Sequence, residues 1–161
     1  MRKKNYPALL PGPGFRRSIP CDATLVTFFR AKVNLFDSIP EAALRELAGA
    51  CVPQKYAKDE FVCRAGEPAD SIWIVKEGLI QLNRCSWKGG NIVIEVLVPG
   101  DAFGFAALGD KTWPVNATAM KPSHLFAITR DRMLDIMNRH PVISKMVIFH
   151  FVQRLRFLGT Q

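Results

Sequence analysis

The chain has 161 residues, 48% of them hydrophobic, and a formal net charge of +8. That length and apolar content suit one domain with a real core plus a tail or an additional helix. No apolar run approaches the ~20 residues of a bilayer-spanning helix. Pro11-Gly12-Pro13-Gly14 interrupts the basic N-terminus before a signal-peptide core can form. A soluble, cytoplasmic protein with no membrane partner is the expectation.

Residues 1–20 carry Arg2, Lys3, Lys4, Arg16 and Arg17 among four prolines and two glycines, with no apolar period. A basic arm of this kind can touch nucleic acid or an anionic membrane surface. Its two aromatics, Tyr6 and Phe15, form no interleaved pattern that suggests stacking on bases, and it reads as a solvated, flexible arm. The four cysteines, Cys21, Cys51, Cys63 and Cys85, form no Cys-x-x-Cys pair, which argues against a zinc knuckle or a thioredoxin motif. Reduced, mostly buried thiols are expected.

Asp22 to Val33 reads as a helix with Leu25, Val26, Phe28 and Phe29 on its apolar face. Ser38-Ile-Pro-Glu41 has capping-box spacing and predicts the start of a second helix. Leu44, Leu47, Ala48 and Cys51 would form the buried stripe of that helix. The period then changes to two. Phe61, Cys63, Ile72 and Ile74 alternate with Val62, Arg64, Trp73 and Val75, and Leu79 to Asn83 continues the pattern beyond Gly78. Lys88-Gly-Gly-Asn91 predicts a hairpin turn. On the returning strand Ile92, Ile94, Val96 and Val98 share one face, while Val93, Glu95 and Leu97 share the other. Val115 to Met120 and His124 to Ile128 are the last strands. Glycines at 66, 78, 89, 90, 100 and 104 punctuate this β-rich run, as in a small barrel or sandwich.

Arg130 to Asn138 reads as a short helix capped by Thr129. Pro141 suits the first turn of a final helix running towards Leu158. Val142, Ile143, Met146, Val147, Ile148, Phe149, Phe151, Val152, Leu155, Phe157 and Leu158 cover more than one face of it. A helix so apolar calls for two coverings, the β domain on one side and a second copy of itself on the other; the alternative is a helix buried within one monomer.

From about Asn34 to Leu158 the chain resembles the effector domain of the Crp/Fnr family of transcription regulators. The matching pieces are Arg64-Ala-Gly-Glu-Pro-Ala-Asp70, Trp73-Ile-Val-Lys-Glu-Gly78, Pro99-Gly-Asp-Ala-Phe-Gly104, Arg130-Asp-Arg-Met and the His140-Pro141 helix start. The resemblance implies a mainly β fold with flanking helices. Its centre is a double-stranded β-helix (a β-roll of the cyclic-nucleotide-binding type) at 21–140, with a long dimerisation helix at 141–161. It implies a homodimer, a small-molecule effector and transcriptional control by allostery. Family members continue into a helix-turn-helix DNA-binding domain. No segment here has recognition-helix character, so a sensor half whose DNA reader lies beyond Gln161 is expected. A protein acting without its own reader is the alternative.

In members that bind cyclic AMP or cyclic GMP, the loop after Phe-Gly supplies a glutamate for the ribose 2′-hydroxyl. An arginine some ten residues on pairs with the cyclic phosphate. Here the loop is Phe103-Gly104-Phe105-Ala106-Ala107-Leu108, followed by Pro114-Val115-Asn116-Ala117. Phe105 stands where the acid would be and Val115 where the arginine would be; a one-residue shift brings uncharged Asn116 there instead. Lys111 lies in the same loop, but as a flexible point charge rather than a bidentate fork. Holding a buried phosphate without its cation costs several kcal/mol by order of magnitude, so cyclic-nucleotide binding is expected to be weak or absent.

Residues 103–108 and 115–117 remain the expected ligand site. Phe103, Phe105, Leu108, Trp113 and Val115 would line an apolar cavity suited to a hydrophobic or aromatic effector, haem included; the alternative is a collapsed cavity filled by Phe105. Relatives in the family sense gases through haem, oxygen through iron–sulfur clusters, or small organic ligands. Cys21 stands alone in the N-terminal part, which argues against a cluster. For haem the candidate ligands are His124, His140 and His150, the last flanked by Phe149 and Phe151. A cyclic-nucleotide regulatory domain is the alternative function. A cupin-type metal enzyme needs clustered histidines that are missing here, and no catalytic constellation is legible, so the protein is not expected to be an enzyme.

Overall fold

The computed structural model describes residues 22–159, with side chains placed for residues 24–156. The basic arm and Cys21 lie outside the described residues. Eight strands form two antiparallel sheets, ordered β1-β8-β3-β6 and β2-β7-β4-β5. They are β1 (Val52–Tyr56), β2 (Phe61–Cys63), β3 (Ser71–Glu77), β4 (Ile80–Cys85), β5 (Asn91–Leu97), β6 (Ala102–Phe103), β7 (Asn116–Ala119) and β8 (Ser123–Thr129). This jelly-roll sandwich is the expected β-roll. Helices α1 (Asp22–Lys32), α2 (Glu41–Ala50), α3 (Arg130–Arg139) and α4 (Pro141–Gly159) flank it.

The alternation in β3 explains the layering. All five residues from Ser71 to Val75 are buried, because each face of this strand meets a different core. Ile72 and Ile74 join Phe29, Leu44, Leu47, Phe126 and Met133 between the first sheet and the helices. Trp73 and Val75 turn the other way and join Ile80, Phe103, Trp113 and Leu125 inside the roll. Each such side chain, fully buried, stabilises the fold by ~1.5–3 kcal/mol. The sequence pattern gave the two faces of β3; two cores cover them.

Several local expectations are met. Thr129 caps α3, its side chain accepting from Arg132 N at 3.3 Å. The hairpin closes at Ser86–Gly90, with Gly89 at φ +83°. The capping box before α2 does not form. Ile39 precedes a proline, which pushes it out of the helical region, so the helix opens two residues later than Ser38 would require. Pro40 is its N-cap at ψ 148° with no side-chain cap, and Glu41 instead pairs with Arg45 at 2.6 Å. Cys51, expected in the α2 stripe, is the extended residue ending the helix, and its thiol donates to Leu47 O at 3.2 Å. Strand β1 went unpredicted. Its sequence Val-Pro-Gln-Lys-Tyr has no clean alternation, and Pro53 is tolerated because β1 is an edge strand with only β8 as neighbour.

At the other edge, β5 and β6 end the two sheets and are joined by the turn at 98–101. Gly100 sits there at φ +95°, and a Cβ on it would lie 2.1 Å from Lys32 O; the turn packs against the end of α1 only because that residue is glycine. Leu97 is buried, but the expected alternation along β5 is broken by a register shift in the β4–β5 ladder between Leu82 and Asn83, so Val93 is exposed along with Ile92, Ile94, Val96 and Val98, all at 41–51%. Helix α4 buries Ile143, Met146 and Val147 in the helical core. Ile148, Phe149, Phe151, Val152 and Leu155 are 42–68% exposed, so half of this apolar helix has no covering among the described residues.

Candidate functional site

Phe103 ends β6 opposite Trp73 in the ladder, and the two rings stack at 5.2 Å. Trp113 lies 5.3 Å from Trp73. These three aromatics, with Ala107, Ala117, Ala119 and Ala127 around them, fill the interior of the roll. Gly104 then takes φ +90°, where a Cβ would sit 2.8 Å from Ser71 O and 2.9 Å from the Trp73 ring. This left-handed residue is open to glycine, and it redirects the chain into a 3-10 turn, Phe105–Leu108.

Phe105 leaves the roll altogether. Its ring packs in the helical core, 5.1 Å from the His150 imidazole and 6.1 Å from Phe151, both on α4. Leu108 packs on the same core. The five side chains expected around one cavity are therefore divided: Phe103 and Trp113 belong to one core, Phe105 and Leu108 to the other, and Val115 to neither. The alternative of a cavity filled by Phe105 is likewise not what the roll shows; Trp73, Phe103 and Trp113 fill it.

The rest of the segment is held by its own backbone. Ala69 N donates to Lys111 O at 2.9 Å and Trp113 N to Glu67 O at 2.8 Å, with Lys111 exposed. Ala106 is half-buried against the roll core and Val115 is half-buried. Asn116 is committed: its Oδ1 accepts from Ala65 N at 2.8 Å and its Nδ2 donates to Asn83 Oδ1 at 3.3 Å. Asn83, itself buried, donates to Gln81 and Thr118. Among the described residues the buried polar side chains are Ser71, Asn83 and Ser123. Among the described residues no Arg, Asp or Glu is buried in the roll to stand in for the ones absent at 105 and 115.

The three histidines lie apart. His124 is on β8, paired in register with Lys55 and Glu77. His140 ends α3 with its Nε2 3.0 Å from Glu46 Oε1, and Arg139 reaches the same carboxylate at 2.8 Å. His150 sits on α4 against Phe105. Burial pushes its pKa down, Arg154 pushes the same way, and Glu95 and Asp101 oppose them. The histidines do not gather around a common point, and among the described residues no group of three or more His, Cys, Asp or Glu could hold a metal ion. Burial raises the thiol of Cys63 to about 12 and that of Cys51 still further.

Two clefts open on the surface. One of about 500 Å³ lies between β1, β2 and β3, with Gln54, Tyr56 and Trp73 in its lining. Gln54 Oε1 there accepts from Tyr56 Oη at 2.5 Å and from Trp73 Nε1 at 3.1 Å. The other, about 1000 Å³, runs between α4, the 98–101 turn and the connection after α1. Arg154 of α4 spans to Glu95 of β5 with two charge-assisted hydrogen bonds. Neither this pair nor the second cleft was legible beforehand, since their residues lie far apart in sequence and carry no motif. No helix among the described residues is long and apolar enough to cross a membrane.

Comparison with known proteins places this geometry. Residues 53–140 match the model of the cyclic nucleotide-binding domain. The CRP-like cAMP-activated global transcriptional regulator of Mycobacterium tuberculosis is 23% identical over 129 residues, covering 78% of this chain and 57% of that protein. The chain thus spans just over half the length of that relative. The rat cyclic nucleotide-gated channel alpha-2 is 25% identical over 151 residues, 89% of this chain and 21% of the channel. Among solved structures, the sensor domain of the transcriptional regulator DNR from Pseudomonas aeruginosa superposes with a TM-score of 0.74 at 20% identity, covering 87% of this chain and 94% of that one. With the domain model matching more than half of its length, from β1 to the end of α3, the chain belongs to the cyclic nucleotide-binding domain family.

Proposed function

We propose that this chain is the effector-sensing module of a CRP-like transcription regulator that answers to something other than a cyclic nucleotide. The single observation that carries this reading is at Phe105. The residue in the place of the ribose-binding acid has turned out of the roll and packs on His150 of α4. Val115, in the place of the phosphate-binding arginine, offers no charge. A cyclic phosphate brought here would lose its water without gaining a cation, which costs several kcal/mol by order of magnitude.

In this reading residues 103–117 are the effector-responsive segment, and Phe105 is its point of contact with α4. An effector that favours one placement of that segment shifts α4 by its differential affinity for the two placements. The exposed apolar side of α4 supports a homodimer built on this helix. DNA contacts would come from a segment outside residues 22–159. The relatives' roles as regulators and gated channels favour a binding module over an enzyme.

Calorimetry with cyclic AMP tests the central claim, and a micromolar isotherm overturns it in favour of an ordinary cyclic-nucleotide domain. Sedimentation at micromolar concentration tests the dimer; a clean monomer retires it. Reconstitution with haem is expected to give no shifted Soret band, since Trp73, Phe103 and Trp113 fill the roll interior where a porphyrin would have to sit.

A further inference from the structure

The 1000 Å³ groove beside α4 lies outside the roll, and none of residues 103–117 lines it, although His150 of its lining carries the Phe105 contact: its lining passes from the α1 connection to the 98–101 turn to α4. Leu35, Leu97, Val98, Met146 and Phe149 give it apolar walls. Its volume is at the upper end of the ~300–1,000 Å³ usual for small-molecule sites.

The charges on its lining are unequally engaged. Glu95 is held by Arg154, and Asp101 Oδ2 accepts from Val98 N at 2.9 Å to close the turn. Asp37 is exposed at the surface. Lys32 and Lys145 make no ion pair with any described residue. Two unengaged ammonium groups above an apolar wall select for a ligand with both features. Inorganic phosphate would leave the walls wet, and a hydrocarbon would leave the lysines without a partner.

We infer that this groove binds an amphiphilic organic anion, a carboxylate on an aryl or acyl body, wedged between the β5–β6 edge and α4. The ligand's body lies on Val98, Met146 and Phe149, and its carboxylate is shared by Lys32 and Lys145. The groove wall on one side is α4 itself, so occupancy acts directly on the helix. This inference deepens the sensing function proposed above and rests on it for its consequence, though not for the binding itself.

The test is calorimetry on the whole chain with 4-phenylbutyrate and with the neutral 4-phenylbutan-1-ol. The acid is expected to bind at least tenfold more tightly than the alcohol. Lys32→Gln with Lys145→Gln should erase that preference while leaving the melting temperature in place, and Val98→Trp should block both ligands. Equal binding of acid and alcohol, an unchanged acid affinity in the double variant, or no heat at millimolar ligand overturns the inference. Amide exchange across α4 separates the two claims. Acid binding with unchanged exchange in α4 sinks the claim that occupancy of this groove acts on the helix and leaves the site. A response of α4 to another effector, with no acid binding, sinks the site and leaves the function.

Discussion

Arg154 on α4 grips both carboxylate oxygens of Glu95 on β5, 59 residues earlier in the chain. It ties the half of α4 that no core covers to an edge strand. The hydrogen bond to Glu95 is the main reason the Arg154 pKa is raised, against a smaller opposing effect of burial. Both side chains are partly exposed, at 41% and 25%, so solvent screening limits the pair. A double-mutant cycle with Arg154→Met and Glu95→Gln should give a coupling of ~1 kcal/mol, shrinking at high salt. Urea denaturation of the four proteins measures it. A coupling of zero at low salt would mean that α4 is not held to β5 in solution.

His150 makes the contact between α4 and Phe105 sensitive to acid. The charged groups around it are Arg154 on its own helix, Glu95 on β5 and Asp101 in the following turn; burial and Arg154 outweigh the two acids. Its folded pKa therefore lies below the ordinary 6.5. Between the two values the unfolded state binds more protons, so stability falls as pH drops below about 6.5 and the loss is complete below the folded pKa. His150→Phe keeps a ring against Phe105 and should flatten the dependence between pH 7.5 and 5.5, relative to the parent chain, by roughly the shift of one group. Matched urea midpoints across that range decide it. Identical pH slopes in the two proteins would remove His150 from the account.

The extent to which the sequence could be read divides along physical lines. Local signals were reliable: Thr129 as a cap, Gly89 in the hairpin and the period-2 alternation of β3 all depend on residues within a few positions of each other. The capping box at Ser38 failed because a stronger local rule, the restriction on the residue before Pro40, overrode it. The site was harder. The absence of acid and base at 105 and 115 was visible, but not the direction of Phe105, which is set by the left-handed Gly104 and by the vacancy that α4 leaves for a ring. The pairing of Arg154 with Glu95 and the groove beside them are tertiary products that no spacing announces.

The cysteines should differ in reactivity by environment. Cys63 is buried in the roll, with its pKa pushed to about 12 by burial. Cys51 is half-buried, with its thiol bonded to Leu47 O. Cys85, at the end of β4, is exposed. Alkylation in native buffer near pH 8, followed by peptide mapping, should label Cys85 within the time that Cys51 and Cys63 stay unlabelled, since the thiolate is the nucleophile. Denaturant should equalise the three. Native labelling of Cys63 at the rate of Cys85 would show that the roll interior opens readily.

The two lost phosphate-site residues should not be equally restorable. Val115 is half-buried immediately before β7 and outside both hydrophobic cores. Val115→Arg can therefore present its guanidinium without emptying a core, and it should raise cyclic AMP affinity by about tenfold or more, one decade per ~1.4 kcal/mol. Phe105 is different, because its ring is part of the helical core against His150 and Phe151. Phe105→Glu removes that ring and places a carboxylate in an apolar site, with a cost of at least the ~3–5 kcal/mol of a large-to-small aromatic change. It should lower the unfolding midpoint sharply and gain no cyclic AMP binding, alone or beside Val115→Arg. Calorimetry and urea melts of the two single variants and the double settle the point. A stable Phe105→Glu chain that binds cyclic AMP would mean that residue 105 can face the roll after all, and that the contact with α4 is not what fixes it.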